Sequence, residues 1–189
     1  MTSVWVVLGS WLLIGERVSA EVVRGMVLCL VGAAALIGIS FSFAPGHVEG
    51  DMFGLATSLF FGLYFLAVRS ARRHAGSARI TFLSSLITAA ILLVVAVTFE
   101  GRLLPPSMSG VYALIALALV SHAGGQGLLA YALGRLTAAF SSLVIFIEAV
   151  AAALFAWVLL GEPVSGWQAA GGALILAGIF LARPRRRRP

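Results

Sequence analysis

Proline punctuates this chain but never enters its long apolar runs. Seven such runs, at about 2–14, 25–43, 51–68, 80–99, 110–133, 137–160 and 166–182, fill most of the 189 residues. Pro45, Pro105, Pro106, Pro163, Pro184 and Pro189 all fall between or after them. A hydrocarbon interior offers no water to backbone N–H and C=O groups, so uninterrupted runs of this length form helices. A transmembrane β-barrel would alternate polar and apolar residues along each strand, and these runs do not. The chain is 61% hydrophobic and 11% charged, against about 45–50% and about 25% in soluble domains. A water-soluble globule of this size cannot hide that much apolar surface. The expected fold is an all-α integral membrane protein of seven hydrophobic segments. At about 20 residues per crossing, no length remains for a soluble catalytic or ligand-binding domain.

All 13 basic residues are arginine, and their placement orients the bundle. With seven crossings, the loops carrying Arg17 and Arg24, the cluster Arg69, Arg72, Arg73 and Arg79, Arg135, and the tail from Arg183 through Arg188 share one side. Arg102 stands alone on the other. Basic loops stay in the cytoplasm, which predicts a cytoplasmic C-terminus, an external N-terminus and a plasma or inner membrane location. The net charge of +6 is then matched by anionic lipid of the bilayer, not by nucleic acid. The lone Cys29 excludes an intramolecular disulfide framework, and no basic residue among Met1 to Ser3 predicts a cleaved signal peptide.

The first run holds about 13 residues, short of the roughly 17–25 needed to span. An internal repeat accounts for this. Shifted by 146 positions, Trp11-Leu12-Leu13-Ile14-Gly15-Glu16-Arg17-Val18-Ser19 aligns with Trp157-Val158-Leu159-Leu160-Gly161-Glu162-Pro163-Val164-Ser165. Gly25 then meets Gly171, Leu28 meets Leu174, Leu30 meets Leu176 and Gly32 meets Gly178. Repetition at a fixed offset is a signature of duplicated architecture. The offset spans five segments, an odd number, so the copies cross the membrane in opposite senses. Inverted repeats of this kind build many secondary transporters, with substrate sites near the midplane. The expected organisation is 1–43 as the last two helices of a first repeat and 44–50 as an extracytoplasmic linker. A complete second five-helix repeat follows over 51–183, then a basic cytoplasmic tail, 184–189. Thr2-Ser3-Val4 falls opposite Glu148-Ala149-Val150, which predicts an N-terminus cut within a helix and three helices missing upstream.

The stretch from His122 through Leu181 resembles the second repeat of EamA-type transporters of the drug/metabolite transporter superfamily. The resemblance rests on Ser121-His122-Ala123-Gly124-Gly125-Gln126, Tyr131-Ala132-Leu133, Phe146-Ile147-Glu148-Ala149-Val150, Leu159-Leu160-Gly161-Glu162 and the glycine-rich closing helix. It implies a ten-helix plan of two inverted five-helix repeats, of which this chain matches the last seven, and export of small metabolites, amino acids or drugs. Where the family commonly has Glu-Pro-Val, this chain has Glu148-Ala149-Val150.

Of seven acidic residues, only Glu148 lies well inside an apolar run. A carboxylate at helix centre costs on the order of 2.5–3.5 kcal/mol, so such residues face a cavity or a partner. Glu148 is a candidate for proton coupling or for binding a substrate ammonium; a structural glutamate bonded to a neighbouring helix is the alternative. Thr137, Ser141 and Glu148 share a helical face. His122 and Gln126 lie one turn apart on the fifth segment, where His122 could relay protons with Glu148 or simply bond a packed helix. Tyr64 and Tyr131 either line the pathway or anchor at the interface. Gly25, Gly32, Gly124, Gly125, Gly171 and Gly178 read as helix-packing positions. Gly124-Gly125-Gln126-Gly127 lacks the strand and spacing of a dinucleotide loop.

These features point to a secondary carrier that exports a small molecule by alternating access, proton-linked, with no catalytic residue, metal or cofactor. The alternative is a truncated, non-transporting subunit that packs against another chain or forms a homodimer. A membrane enzyme is disfavoured, since there is no second intramembrane carboxylate, metal-ligand spacing or activated nucleophile pair.

Overall fold

The computed structural model describes residues 1–37, 48–101 and 105–184. The end of the second apolar run and most of the linker (38–47), Arg102 and the tail from Arg185 lie outside the described residues. Each of the seven runs is helical over its described residues, and no strand occurs among them. The elements are α1 (Thr2–Ile14), α2 (Ala20–Ile37), α3 (Val48–Ala71), α4 (Ser77–Phe99), α5 (Met108–Ala116), a π-helical stretch (Leu117–Gln126), α6 (Gly127–Leu133), α7 (Ala138–Val144), α8 (Phe146–Leu160) and α9 (Gly166–Ala182). Four stretches are long and apolar enough to cross a membrane: Met52–Ala71, Ser77–Phe99, Met108–Leu133 and Ala138–Leu160. Helices α1 and α9 are apolar but shorter. The chain is a multi-pass, all-α membrane protein. Helix α3 starts at Val48, so residues 48–50, expected in the linker, are already helical.

The chain divides into two compact units, residues 1–67 with 136–189, and residues 68–135. In the first, α2 and α9 pack antiparallel with their backbones in direct contact. Gly25 lies against the Gly178 carbonyl, and a Cβ built at Gly32 would stand 2.6 Å from the Gly171 carbonyl oxygen. These two contacts exchange under the 146-residue shift. The centre of the pair is Cys29, whose thiol donates to the Ile175 carbonyl at 3.5 Å, and Cys29 and Ile175 are themselves repeat equivalents. A local two-fold therefore passes between them.

The turns leading into this pair match as well. Helices α1 and α8 end on Gly15 (φ 70°) and Gly161 (φ 69°), both left-handed. Such a conformation costs an L-residue roughly 1–2 kcal/mol, which is why glycine sits there. Glu16 N–H then donates to Ser10 O at 2.9 Å, and Glu162 N–H to Ala156 O at 3.3 Å. Ser19 Oγ accepts from Val22 N–H at 3.4 Å and Ser165 Oγ from Gln168 N–H at 3.3 Å, capping the next helix in each copy. Helix α1 is tied to α3 by Trp5 Nε1, which donates to Ser58 Oγ at 3.1 Å. Val6, Cys29, Leu143 and Ile175 are fully buried.

In the second unit, arginines close a helix end. Arg69 donates to the Leu133 carbonyl at 2.7 Å and Arg72 Nε to the Ala130 carbonyl at 2.9 Å. The Leu133 carbonyl lies in the last turn of α6, where carbonyls lack an intrahelical donor, and the Ala130 carbonyl, which already accepts from Gly134 N–H at 3.2 Å, takes Arg72 as a second donor. The Arg72 guanidinium lies over Gly134, where a Cβ would collide with it. Arg135 stacks on the Tyr131 ring, 4.2 Å from its centroid. Helix α4 has no buried residue.

The glycines therefore separate into two kinds. Gly32→Ala overpacks the α2–α9 contact and is expected to cost about 1–3 kcal/mol. At Gly125 a Cβ meets nothing within 4 Å among the described residues, so Gly125→Ala is expected to change stability by no more than about 0.5 kcal/mol. Thermal unfolding of both variants in detergent checks the contrast.

Candidate functional site

Helices α7 and α8 form one 23-residue apolar stretch whose ladder is interrupted at Ile145. That residue keeps right-handed helical angles (φ −60°, ψ −27°), and Glu148 N–H donates to Ile145 O at 2.8 Å. The bond spans three residues instead of four, so the turn is tightened as in a 3₁₀ helix. The irregularity arises without the proline that the family commonly places after this glutamate. It puts Glu148 in the first turn of α8.

Glu148 opens onto a cavity of about 360 Å³ within the first unit, whose walls also include Thr2, Ser3, Ala33, Ser142 and Ala149. The wall between α1 and α7 is pinned by Ser3 Oγ, which donates to Ser142 O at 2.9 Å in a buried bond. Ser142 Oγ in turn donates to Ala139 O at 2.8 Å. With these hydroxyls committed, Glu148 is the one ionisable side chain on the wall. A cavity with one carboxylate, the Thr2 hydroxyl and otherwise apolar or hydrogen-bonded side chains can accept a proton or a cationic group and little else by charge.

The other sequence-selected residues lie in several places. Ser141 is buried, with no hydrogen-bond partner for its Oγ among the described residues; its neighbour Ser142 lines the cavity. Thr137 is the N-cap of α7, its Oγ1 accepting from Phe140 N–H at 3.3 Å. Tyr64 is half-buried on α3 with its ring stacked parallel to Phe61, centroids 6.1 Å apart. His122, Gly124, Gly125 and Gln126 all belong to the π-helical stretch, in the second unit. His122 Nε2 lies 2.9 Å from Ser85 Oγ on α4. Gln126 is half-buried and engaged with the chain. Tyr131 is exposed beneath Arg135.

Two residues that matter locally were not singled out from sequence. Ser3 stands opposite Ala149 in the repeat, so nothing in the alignment marks it. Glu16 was visible as half of the Gly-Glu turn, but not its task. Its Oε2 accepts from Ala138 N–H at 3.3 Å, a long-range cap on the first turn of α7. A first-turn N–H has no intrahelical acceptor and favours a carboxylate.

Paired hairpins related by the 146-residue shift, several apolar spans and one exposed carboxylate on an open cavity define the class: a multi-pass membrane protein with transporter architecture. The description of the EamA-like transporter family matches residues 48–183, and the chain belongs to that family. It is 30% identical over 173 residues to an uncharacterised transporter of Archaeoglobus fulgidus, covering 90% of this chain and 59% of that protein. It is 28% identical over 176 residues to the "probable amino-acid metabolite efflux pump" of Salmonella typhimurium, covering 88% and 58%. A solved crystal structure superposes with a TM-score of 0.77 at 26% identity, over 96% of this chain and 63% of that one. The chain thus spans a little under two thirds of the proteins it matches.

The asymmetry of the two Gly-Glu turns is measurable. Glu16→Ala removes the α7 cap and is expected to lower stability by about 1 kcal/mol. Glu162 is exposed, and Glu162→Ala is expected to stay within about 0.5 kcal/mol of the parent. Paired thermal melts in one detergent test this.

Proposed function

We propose that the chain handles substrate in a secondary carrier that exports a small metabolite, amino acid or drug by alternating access, with Glu148 exchanging a proton or holding a substrate ammonium. The observation that carries this reading is the opening of Glu148 onto the first-unit cavity. The name of the Salmonella relative favours an amino-acid-like substrate. We read α1 and α2 as the last two helices of one inverted repeat and residues 51–183 as the other, a division supported by the matched caps and the exchanged glycine contacts. Twelve of the 13 arginines favour one side, which supports a cytoplasmic C-terminus in the plasma or inner membrane. A C-terminal fluorescent-protein fusion is then expected to be bright and a C-terminal alkaline phosphatase fusion inactive. The reverse pattern overturns the orientation.

The transport reading is tested in proteoliposomes with a panel of labelled amino acids under an imposed pH gradient. The expected result is gradient-driven flux that falls at least about tenfold in Glu148→Gln, a loss of about 1.4 kcal/mol of transition-state stabilisation. Equal flux from the variant would sink the role of Glu148.

One observation favours a second reading, a subunit that packs against another chain. Ser3, Val6, Gly9 and Ser10 form the buried face of α1. On α8 the repeat equivalents Ala152 and Phe155 are exposed, Phe155 at 63%. A homodimer or larger assembly in mild detergent, without flux from the isolated chain, is the outcome this reading expects.

A further inference from the structure

Helix α7 lies in a seat whose two-fold mate is an open groove. Its Ala139, Phe140 and Leu143 form a buried cluster with Val22 and Ala182, and Val7, Val18 and Met26 pack against that cluster. Under the 146-residue shift, Val7, Val18, Val22 and Met26 become Ala153, Val164, Gln168 and Gly172, and Ala182 answers to Leu36. These five mates line one groove of about 430 Å³ formed by α8, α9 and the end of α2. The groove thus repeats the seat of α7 across the local two-fold. The polar end of the seat repeats as well. Glu16 accepts from Ala138 N–H at the start of α7, whereas the carboxylate of its mate, the exposed Glu162, has no partner among the described residues.

We propose that the α8–α9 groove seats an apolar helix lying as the two-fold mate of α7, with its first turn at Glu162 and its last turn leading into α1 as α7 leads into α8. Glu162 distinguishes a helix from an acyl chain. First-turn N–H groups lack an intrahelical acceptor and favour a carboxylate, whereas a lipid tail has no donor to offer. Where α7 meets Met26 and Val7, the occupant meets Gly172 and Ala153, small residues of the kind that let membrane helices approach closely. The groove is therefore deeper than the seat of α7 and takes bulkier side chains at the matching positions. The site does not depend on the transport reading.

The full chain supplies its own probe. Residues 137–146, copied in front of Met1, place a second α7 in register, because Met1 is the repeat equivalent of Ile147. The extended chain is expected to melt at least about 4 °C above the parent in one detergent. Glu162→Ala is expected to lower that melting temperature by about 2–4 °C, and to leave the parent within about 2 °C. One alanine inserted between the copy and Met1 turns the copied face by about 100° and is expected to abolish both effects. A melting temperature at or below the parent's overturns the proposal, as does a Glu162→Ala effect that is the same with and without the extension. Ala169→Cys on the groove wall of the parent tests the other occupant. It is expected to remain monomeric under oxidation; an intermolecular disulfide would make the occupant a second copy and overturn the mate of α7.

Discussion

Between two helices in hydrocarbon there is no hydrophobic gain to be had, because lipid tails are as apolar as leucine; contact must come from close packing and from hydrogen bonds. The α2–α9 pair meets that condition with glycine. Gly25 and Gly32 sit two turns apart on one helix and Gly171 and Gly178 two turns apart on the other, so each backbone comes within reach of its partner's carbonyls at both ends of the contact. The thiol of Cys29 at the centre adds a weak polar tie. Because the two helices are repeat equivalents, a single surface serves both sides, in the manner of an isologous interface within one chain. The glycine-ended turns of α1 and α8 then fix how each preceding helix leaves the pair.

Arginines also finish helices in this chain. Arg69 and Arg72 stand beyond the end of α3 or in its last turn, yet their guanidiniums are spent on the carbonyls of α6. A guanidinium carries several donors in a fixed fork, suited to the carbonyls gathered at a helix's C-terminal end. Side chains of one arginine-rich loop thus stitch two helix ends together. Glu16 is the acidic counterpart in the first unit, a carboxylate on first-turn N–H at the opposite kind of helix end.

Much of the fold was legible because its causes are local or periodic. Proline-free apolar runs gave the helices to within a few residues, and the 146-residue shift identified the very glycines that touch. What escaped depends on distance in sequence. The Glu16 cap joins residues 122 apart and the Ser3 bond residues 139 apart; no spacing rule marks either. Gly124 and Gly125 share a composition with the packing glycines but lie where a Cβ meets almost nothing, since composition does not say which face of a helix is covered. The His122–Gln126 pairing assumed 3.6 residues per turn, and the ladder there follows a wider period. Glu148 was legible as the lone acid in an apolar run, whereas its cavity partners Thr2 and Ser3 come from a helix far away in the chain.

That wider period has a consequence for how the span fits a bilayer. At 1.5 Å per residue, the 26 residues of Met108–Leu133 would make an α-helix of roughly 39 Å, well beyond a hydrocarbon thickness of about 30 Å. A helix with that excess must tilt, kink or thicken the lipid around it. Closing bonds over five residues packs more residues into each turn, so Leu117–Gln126 takes up length inside the helix itself. Part of the surplus is thereby carried as backbone winding, and less of it is left for tilt or for the lipid to absorb.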